Sequence, residues 1–398
     1  MGNVIVDRYE KFDKFEIAVP VLFGLEAFAA REIRRLGYET LSVEDGRVIF
    51  EGGYRDVYRA NMWLRTGERV LIKAAEFKAV TFEELFEATK AVEWERFLPK
   101  NCAFPVKGHS VRSQLASVRD CQAIIKKAIA ARLGEKYSME WLPEDGAEYR
   151  IQFTILKDRV TLMIDTSGEP LHKRGYRQYS NAAPLRETIA AAMVMMSYWK
   201  YEFPLLDPFC GSGTIPVEAA LFKRNIAPGL GRKFAADSFE QTDAGMIKSV
   251  WEEARSLEKD VTLEIYASDI DPACAELTKS NAQKAGVGEF ITADCKRAED
   301  VFIDEPYGTV ICNPPYGERM GEKRECEALY RSMGKSFGRL DKWGYYIITS
   351  NEEFERLFGR RADKKRKIYN GMIKCNIYQY FGPKPPEKYF MKEGRHGK

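Results

Sequence analysis

The stretch Leu205-Leu206-Asp207-Pro208-Phe209-Cys210-Gly211-Ser212-Gly213-Thr214 joins a short apolar run to a segment with helical spacing. Its two glycines permit a tight turn and a close approach of the backbone to a ligand. The helix predicted from Thr214 to Phe222 points its N-terminal amides toward that turn. Because no Lys-Ser/Thr pair follows the glycines, an ATP-type phosphate loop is excluded. A strand, a glycine turn and a helix in this order predict the cofactor-binding start of a parallel α/β sheet.

The alternation of strands and helices continues downstream of this turn. The next strand, Leu263 to Ser268, runs into Asp269, and a carboxylate there can accept hydrogen bonds from both hydroxyls of a ribose. Asp271 is the alternative, although it can instead cap the helix that begins at Pro272. A further strand ends at Asp294, whose carboxylate can accept an adenine amine or simply cap a helix. These features indicate a nucleoside cofactor.

A second motif lies at the end of the apolar run Thr309 to Cys312. It consists of Asn313, Pro314, Pro315 and Tyr316. The asparagine side-chain oxygen and the first proline carbonyl can each accept a hydrogen from an NH2 group, and the prolines restrict the backbone that holds them. Such acceptors draw the nitrogen lone pair out of conjugation, and the tyrosine offers a face on which a base can stack. The motif therefore predicts catalytic residues for methylation of an exocyclic amine.

Together the two motifs predict methyl transfer from S-adenosyl-L-methionine. Asp207, beside the glycine turn, can accept from the ammonium group of that cofactor, while the turn amides and the helix dipole suit its carboxylate. The cofactor residues expected from these patterns are Asp207, Phe209, Gly211, Gly213, Thr214, Asp269, Ile270 and Asp294.

Composition excludes several other classes of protein. With three histidines and eight scattered cysteines that form no C-x-x-C pair, a metal site or a Ser-His-Asp triad is not expected. No run of about 18 apolar residues suggests a membrane span. The N-terminus carries charges throughout and lacks an apolar signal core, so we expect a cytoplasmic protein without membrane contact.

The 398 residues favour several domains. Short strands and helices alternate over residues 1–75, which is typical of a small α+β domain, and a second such unit covers 76–167. A polar, basic linker is predicted at 168–184. The cofactor-binding α/β domain then covers 185–385, and residues 386–398 form a tail.

The two motifs carry a resemblance to a known family. Leu206 to Ala220, LDPFCGSGTIPVEAA, and Asn313 to Gly321, NPPYGERMG, resemble the THUMP-domain class I RNA methyltransferases of the RlmL type. The segments His172 to Arg177 and Ser268 to Pro272 are similar to that family's linker and ribose-binding segment. The resemblance implies a ferredoxin-like domain at 1–75, a THUMP RNA-binding domain at 76–167 and a Rossmann-like methyltransferase sheet at 185–385. It also implies that Glu187 and Thr188 approach the cofactor.

The same resemblance implies that the substrate is the exocyclic N2 amine of a guanosine in RNA. The first candidate for that RNA is 23S rRNA. The chain contains one methyltransferase pattern where the enterobacterial rRNA enzyme carries two, so a tRNA guanosine-N2 target stays an alternative. The motif itself recognises an amine and not a base, which leaves adenine-N6 methylation of DNA open. A ribosome assembly factor that binds RNA without catalysis is the alternative outside the enzymes.

Basic residues form local clusters although the net charge is only +3. Such clusters suit contacts with the phosphates of a structured RNA. One lies on a predicted helix, a second lies in the linker, and a third runs from Arg360 to Lys367. The residues expected to contact RNA are Lys126, Lys127, Arg132, Lys173, Arg174, Arg177 and Arg319.

Overall fold

The structure is a computed structural model that describes residues 14–177, 185–317, 322–340 and 342–386. The described residues form two seven-stranded sheets, one from each half of the chain. Within these ranges no helix is long and apolar enough to cross a membrane. In the same ranges no group of three or more His, Cys, Asp and Glu side chains is arranged to hold a metal ion.

The first sheet combines the two α+β units. Its elements in chain order are β1 (Phe15–Pro20), α1 (Glu26–Arg35), β2 (Thr40–Glu44), β3 (Arg47–Gly52), α2 (Tyr54–Trp63), β4 (Leu71–Lys78), α3 (Phe82–Lys90), β5 (Val106–Val111), α4 (Val118–Tyr137), β6 (Ile151–Leu156) and β7 (Arg159–Asp165). The spatial order is β2-β3-β1-β4-β7-β6-β5. β5 and β6 are parallel, and the other neighbours are antiparallel.

β4 connects the two units within one sheet. It pairs with β1 on one side and with β7 on the other. The predicted domain boundary at 75/76 therefore falls inside β4, and the two units share one backbone hydrogen-bond ladder. β5 starts at Val106, directly after Pro105, which has no amide to donate to a ladder.

The second sheet follows the α/β pattern. Its elements are α5 (Glu187–Met196), β8 (Leu205–Asp207), α6 (Thr214–Lys223), α7 (Ala244–Ser256), β9 (Ile265–Asp269), α8 (Pro272–Lys284), β10 (Ile291–Cys295), β11 (Thr309–Cys312), α9 (Glu322–Phe337), β12 (Gly344–Thr349), α10 (Phe354–Phe358), β13 (Lys364–Asn370) and β14 (Ile373–Tyr380). The spatial order is β10-β9-β8-β11-β12-β14-β13.

This strand order places the carboxyl ends of the central strands at one edge. β11 is the fourth of the seven strands, with β8 beside it. The five strands from β10 to β12 in this order run parallel, whereas β14 is antiparallel to both of its neighbours. β14 begins where β12 ends, because Asn376 pairs with Thr349. The turn between β13 and β14 therefore lies at the same edge as the ends of β8, β9 and β11, where ligands bind in open α/β sheets.

An excursion of the second half, residues 227–256, packs on the first sheet. The Phe239 ring stacks on Tyr149 with centroids 4.0 Å apart. The Tyr58 hydroxyl donates to Asp237 at 2.7 Å, and Arg59 forms an ion pair with Glu253 at 2.6 Å. Apolar residues of this excursion belong to the same core as the first sheet: Ala227, Phe234, Ala236, Phe239, Met246, Val250 and Ala254. The two halves thus share a hydrophobic core in addition to the linker.

Candidate active site

A cleft of about 560 Å³ opens at the carboxyl edge of the second sheet. The glycine turn after β8 forms one wall, and the segment after β11 forms the opposite wall. The lining of the cleft contains predicted residues of both motifs: Asp207, Phe209, Gly211, Thr214, Asp269, Ile270, Asn313, Pro314, Pro315 and Tyr316. The fold therefore brings the two motifs, which are far apart in sequence, to one site.

The glycine turn has a backbone that other residues rarely adopt. Gly211 has φ +53° and Gly213 has φ +80°. A Cβ atom at Gly213 would lie 2.8 Å from the Thr278 side chain, so α8 packs directly against the turn. Asn281 Nδ2 donates to the Ser212 carbonyl at 2.8 Å and fixes the loop from beneath. The first turn of α6 is thereby held with its amides toward the cleft.

Asp207 is a buried carboxylate at the end of β8. It is 1% exposed, and its Oδ1 accepts from the Phe209 amide at 3.1 Å. Burial raises the pKa of Asp207 well above its ordinary value, and Asp269 adds to the shift. Within the described part of the chain no basic side chain pairs with it. A buried carboxylate that lines a cleft and has no basic partner fits a ligand that brings an ammonium group.

Asp269 ends β9 inside the cleft. Its Oδ2 accepts from the Gly211 amide at 3.0 Å, and its Oδ1 accepts from the Asp271 amide at 3.1 Å. Asp271 instead caps α8, because its Oδ1 accepts from the Ala273 amide at 2.9 Å. Of the two carboxylates proposed for a ribose, Asp269 is the one that lines the cleft.

Asp294 lies away from the cleft. Its carboxylate turns toward Lys296 Nζ at 2.8 Å, and it lines a separate depression with Thr292. The ion pair directs the side chain elsewhere in this structure, and contact of Asp294 with an adenine amine stays a prediction. The segment after β10 reaches the cleft through residues that the sequence did not single out: Arg297, Ala298 and Glu299.

Asn313 follows β11, and its amide is oriented by hydrogen bonding. The Tyr316 hydroxyl donates to Asn313 Oδ1 at 2.7 Å. The Tyr330 hydroxyl donates to the Pro315 carbonyl at 2.6 Å and so fixes the loop from α9. Burial raises the pKa of Tyr316 well above its ordinary value, so its hydroxyl remains a donor. The tyrosine ring is half-buried, and its hydroxyl points inward to the asparagine.

The turn between β13 and β14 contributes a wall that the sequence analysis missed. Asn370 and Ile373 line the cleft together with Tyr316. Gly371 between them has φ +64°, as a two-residue hairpin turn requires. The Asn-Gly pair was a readable hairpin signal, but only the position of β14 beside β12 brings it to the cleft.

Glu187 and Thr188 do not line the cleft. Glu187 forms an ion pair with Arg177 at 2.7 Å, and the Thr188 hydroxyl donates to Glu68 of the first half at 2.8 Å. Both side chains have partners outside the cleft, and their approach to the cofactor, which the family resemblance implied, stays a prediction. Leu185, just before α5, lines the cleft instead.

Two linker arginines are structural. Arg174 is 3% exposed, and its guanidinium donates to the carbonyls of Leu171 and Arg65 at 2.6 Å each and to Glu218 at 3.3 Å. Arg177 is also largely buried and is held by Glu187. These contacts correct the prediction that the two arginines bind RNA, because their donors face the protein interior.

The other basic residues remain accessible to different degrees. Lys126 pairs with Glu144 at 2.8 Å and Arg132 pairs with Glu95 at 2.5 Å. Both acidic partners belong to the same unit as α4, and they neutralise part of the positive charge of the two side chains. Lys127 lies 5.8 Å from the centre of the Phe86 ring. Lys173 is exposed and pairs with Glu169. Arg319 lies outside the described residues. RNA contact by these side chains stays a prediction.

Comparisons with known proteins add an independent finding. Three family descriptions match: an RMKL-like methyltransferase domain at residues 174–379, an RlmL ferredoxin-like domain at 16–71 and a THUMP domain at 79–165. The chain is 46% identical over 382 residues to YpsC of Bacillus subtilis (strain 168), named as a candidate RNA methyltransferase, covering 94% of this chain and 98% of that protein. It is 32% identical over 378 residues to ribosomal RNA large subunit methyltransferase K/L of Psychromonas ingrahamii, covering 92% of this chain but only 50% of that protein.

Solved structures agree with these matches. A methylase candidate from Clostridium difficile 630 has a TM-score of 0.91 at 44% identity, covering 94% of this chain and all of that one. The methyltransferase candidate SMU.472, solved with SAH, has a TM-score of 0.90 at 39% identity, covering 94% and 99%. TrmN from Thermus thermophilus, at 16% identity and a TM-score of 0.67, shares the fold.

Proposed function

Because the chain belongs to the RMKL-like family of S-adenosyl-L-methionine-dependent RNA methyltransferases, we propose that it methylates the exocyclic N2 amine of a guanosine in RNA, with 23S rRNA as the first candidate. The observation that carries this proposal is the meeting of a buried, unpaired Asp207 and the Asn313 amide in one cleft.

The cofactor wall fits S-adenosyl-L-methionine. When bound, this cofactor supplies an electrophilic methyl group on a sulfonium. Asp207 accepts hydrogen bonds from its ammonium group, and pairing with that cation offsets the cost of burying the carboxylate. The amides at the start of α6 bind its carboxylate. Asp269 accepts from the ribose hydroxyls.

The opposite wall orients the amine. Asn313 Oδ1 has two lone pairs, of which one accepts from Tyr316 and one remains for a hydrogen of the amine. The Pro314 carbonyl accepts the second hydrogen. Held in this way, the nitrogen would direct its lone pair at the methyl group. The new N–C bond would form as the S–C bond of the sulfonium breaks, S-adenosyl-L-homocysteine would leave, and the surplus proton would pass to water. Rate enhancement would come from positioning and preorganised dipoles, since no general base is required.

The choice of RNA is supported by the THUMP match in the first half. The choice of 23S rRNA is supported by the relative named as a ribosomal RNA large subunit methyltransferase, and guanosine N2 is what the sequence resemblance implies. A tRNA guanosine is the second RNA candidate. Adenine N6 in DNA is the third candidate, because the asparagine motif accepts any planar amine.

Nucleoside mass spectrometry tests the substrate directly. We expect rRNA from a strain without the gene to lose N2-methylguanosine and to regain it when the purified protein and S-adenosyl-L-methionine are added. Loss confined to tRNA would move the target there, and loss of N6-methyladenine from DNA would contradict the proposal.

Replacement of Asn313 tests the mechanism. Asn313→Ala removes an acceptor that acts on the amine and not on the cofactor. We expect methyl transfer to fall by about 100-fold or more, as for other preorganised polar groups at a reacting centre, with unchanged cofactor affinity by isothermal titration. Retained activity would remove Asn313 from the mechanism.

A further inference from the structure

The rim of the cleft beside β13 is built jointly by the two halves of the chain. The segment after β1, residues 21–25, lies against the free edge of β13. Arg366 Nη1 donates to the Gly24 carbonyl at 2.7 Å, and a Cβ atom at Gly24 would lie 2.6 Å from the Lys367 carbonyl oxygen. The position of Phe23 is therefore fixed relative to the strand that leads into the cleft.

Apolar and aromatic side chains are exposed on this rim. The Phe23 ring is 47% exposed and meets the Tyr369 ring edge-on, with centroids 6.2 Å apart. Met372, at the turn between β13 and β14, is 97% exposed. Tyr369 directly precedes Asn370, which lines the cleft. The rim therefore borders the end of β13 that contributes Asn370 to the cleft.

One cation of the basic run Arg360 to Lys367 extends over the Tyr369 ring. Lys367 Nζ lies 5.2 Å from the centre of the Tyr369 ring. Other members of the run have different roles, since Lys365 pairs with Glu355 and Arg366 holds the segment after β1. The members of the basic run therefore have different roles. Lys367 is the member that lies over an aromatic face beside the cleft.

Aromatic faces with an adjacent cation are the means by which proteins bind single-stranded nucleic acid, because every base has a face that can stack and every linkage carries a negative charge. A base that reaches Asn313 has to be unpaired or extruded from a helix. Its neighbours along the strand then lie at the mouth of the cleft, where the rim begins.

We propose that Phe23, Lys367, Tyr369 and Met372, here called the hairpin rim, bind the unpaired nucleotides that flank the target base. Phe23 and Tyr369 stack on bases, Met372 covers an apolar base face, and Lys367 contacts a phosphate. This inference rests on the proposed function and adds a second RNA-binding surface, separate from α4. It also gives the first half of the chain a direct part in substrate recognition at the cleft.

Kinetics with matched variants test the hairpin rim. The substrate is an in vitro transcript of 23S rRNA, with a tRNA transcript as the second probe. We expect Phe23→Ala to raise KM for the RNA by about 5- to 100-fold, the range for loss of one stacked base. Lys367→Glu should weaken RNA binding and lower the salt dependence by about one phosphate contact. Cofactor affinity should stay unchanged in both.

The controls carry the same chemical changes at the opposite edge of the sheet. Phe381→Ala removes a phenylalanine that is 45% exposed just after β14 ends. Lys335→Glu reverses an exposed lysine in the last turn of α9. We expect both controls to retain the parent KM, and circular dichroism to show that all four variants are folded.

A transcript containing 4-thiouridine provides a second measurement. Photocrosslinks should map to the peptides that contain Phe23 and Tyr369. If the parent protein methylates RNA and the rim variants have the same KM as their controls, the inference is overturned and the proposed function stays intact. Crosslinks confined to α4 and its unit would overturn it equally. Failure of the parent to bind or methylate either transcript would refute the proposed function and the inference with it.

Discussion

Asp207 shows how one residue can reduce stability and serve binding. Its carboxylate is buried with a raised pKa, and a group whose pKa is raised by folding binds its proton more tightly in the folded state. Its contribution to stability is therefore present below the ordinary Asp pKa of about 4 and is lost as the pH rises through the folded value. At neutral pH the ionised carboxylate of Asp207 lowers the free energy of unfolding until a cationic ligand binds beside it.

Asp207→Asn tests this account. The amide can still accept from the Phe209 amide but carries no charge, so we expect the ligand-free variant to melt at a higher temperature than the parent at neutral pH. Affinity for S-adenosyl-L-methionine should fall by about 10- to 100-fold, the range for a hydrogen bond to a charged group. Parent affinity should also weaken as the pH is lowered and Asp207 is protonated.

Asp243→Asn is the matched control for charge. Asp243 caps α7 at a distance from the cleft, and asparagine caps helices equally well. Calorimetry should therefore show parent affinity. An Asp207 variant that binds the cofactor as tightly as this control would contradict the assigned role.

Tyr316→Phe separates the hydroxyl from the ring. The ring can still contact a base, but Asn313 Oδ1 loses the donor that fixes its orientation. We expect kcat to fall by about 5- to 10-fold, the value of one neutral hydrogen bond, with KM for the cofactor unchanged. Tyr345→Phe, which removes a buried hydroxyl that donates to the Phe337 carbonyl, should leave kcat unaltered. Equal kcat in the two variants would show that the Tyr316 hydroxyl does not act through Asn313.

Where the role of a residue follows from local sequence, that role could be predicted from the sequence. Asp207, Asp269 and Asn313 each follow a strand, and parallel strands end at one edge, so their convergence could be predicted. Asn370 could not, because its place depends on β14 pairing with β12 across a long separation in sequence. Arg174 was misassigned for a related reason, since its burial depends on Arg65 and Glu218 from opposite halves of the chain.

At the level of elements, the same limits apply to β4 and to the excursion at residues 227–256. The strand pattern of β4 was visible, but the ladder that joins it to β7 is long-range. The excursion lies within the predicted methyltransferase domain, and its apolar positions do not say which core receives them. Pairing and packing partners are tertiary properties that a local pattern does not contain.

The β13–β14 turn offers an element-scale prediction. Gly371 has φ +64° with open space around its Cβ position, so Gly371→Ala introduces backbone strain without a clash. The strain falls on Asn370 and Ile373, and we expect methyl transfer to drop several-fold more than cofactor affinity. Single-turnover kinetics and titration measure the two quantities.

Gly359→Ala is the matched control, because Gly359 has φ +80° and equally open surroundings at the end of α10. Both substitutions should cost about 1 kcal/mol of stability. If they reduce methyl transfer equally, the turn has no special part in the cleft.

For the whole molecule, the shared core predicts that the two halves unfold together. The apolar residues of the excursion complete the core beneath the first sheet, and Arg65 and Arg174 bond across the junction. Separation of the halves would expose these apolar side chains and leave buried polar groups unpaired. We expect one cooperative transition, with coincident curves from circular dichroism and from the fluorescence of two variants, one that keeps only Trp94 in the first half and one that keeps only Trp343 in the second, of the six tryptophans.

Phe239→Ala tests that coupling, because the ring is buried against Tyr149 across the junction. Loss of a buried phenylalanine costs about 3–5 kcal/mol, through lost apolar contact and the cavity left behind. If the halves are coupled, the melting temperature should fall for both fluorescence signals together. Phe302→Ala, at an exposed phenylalanine, should change stability by less than about 0.5 kcal/mol. Two separate transitions in the parent, or a shift of the Trp94 signal alone in Phe239→Ala, would show that the halves fold independently and that the hairpin rim is not held rigidly at the cleft.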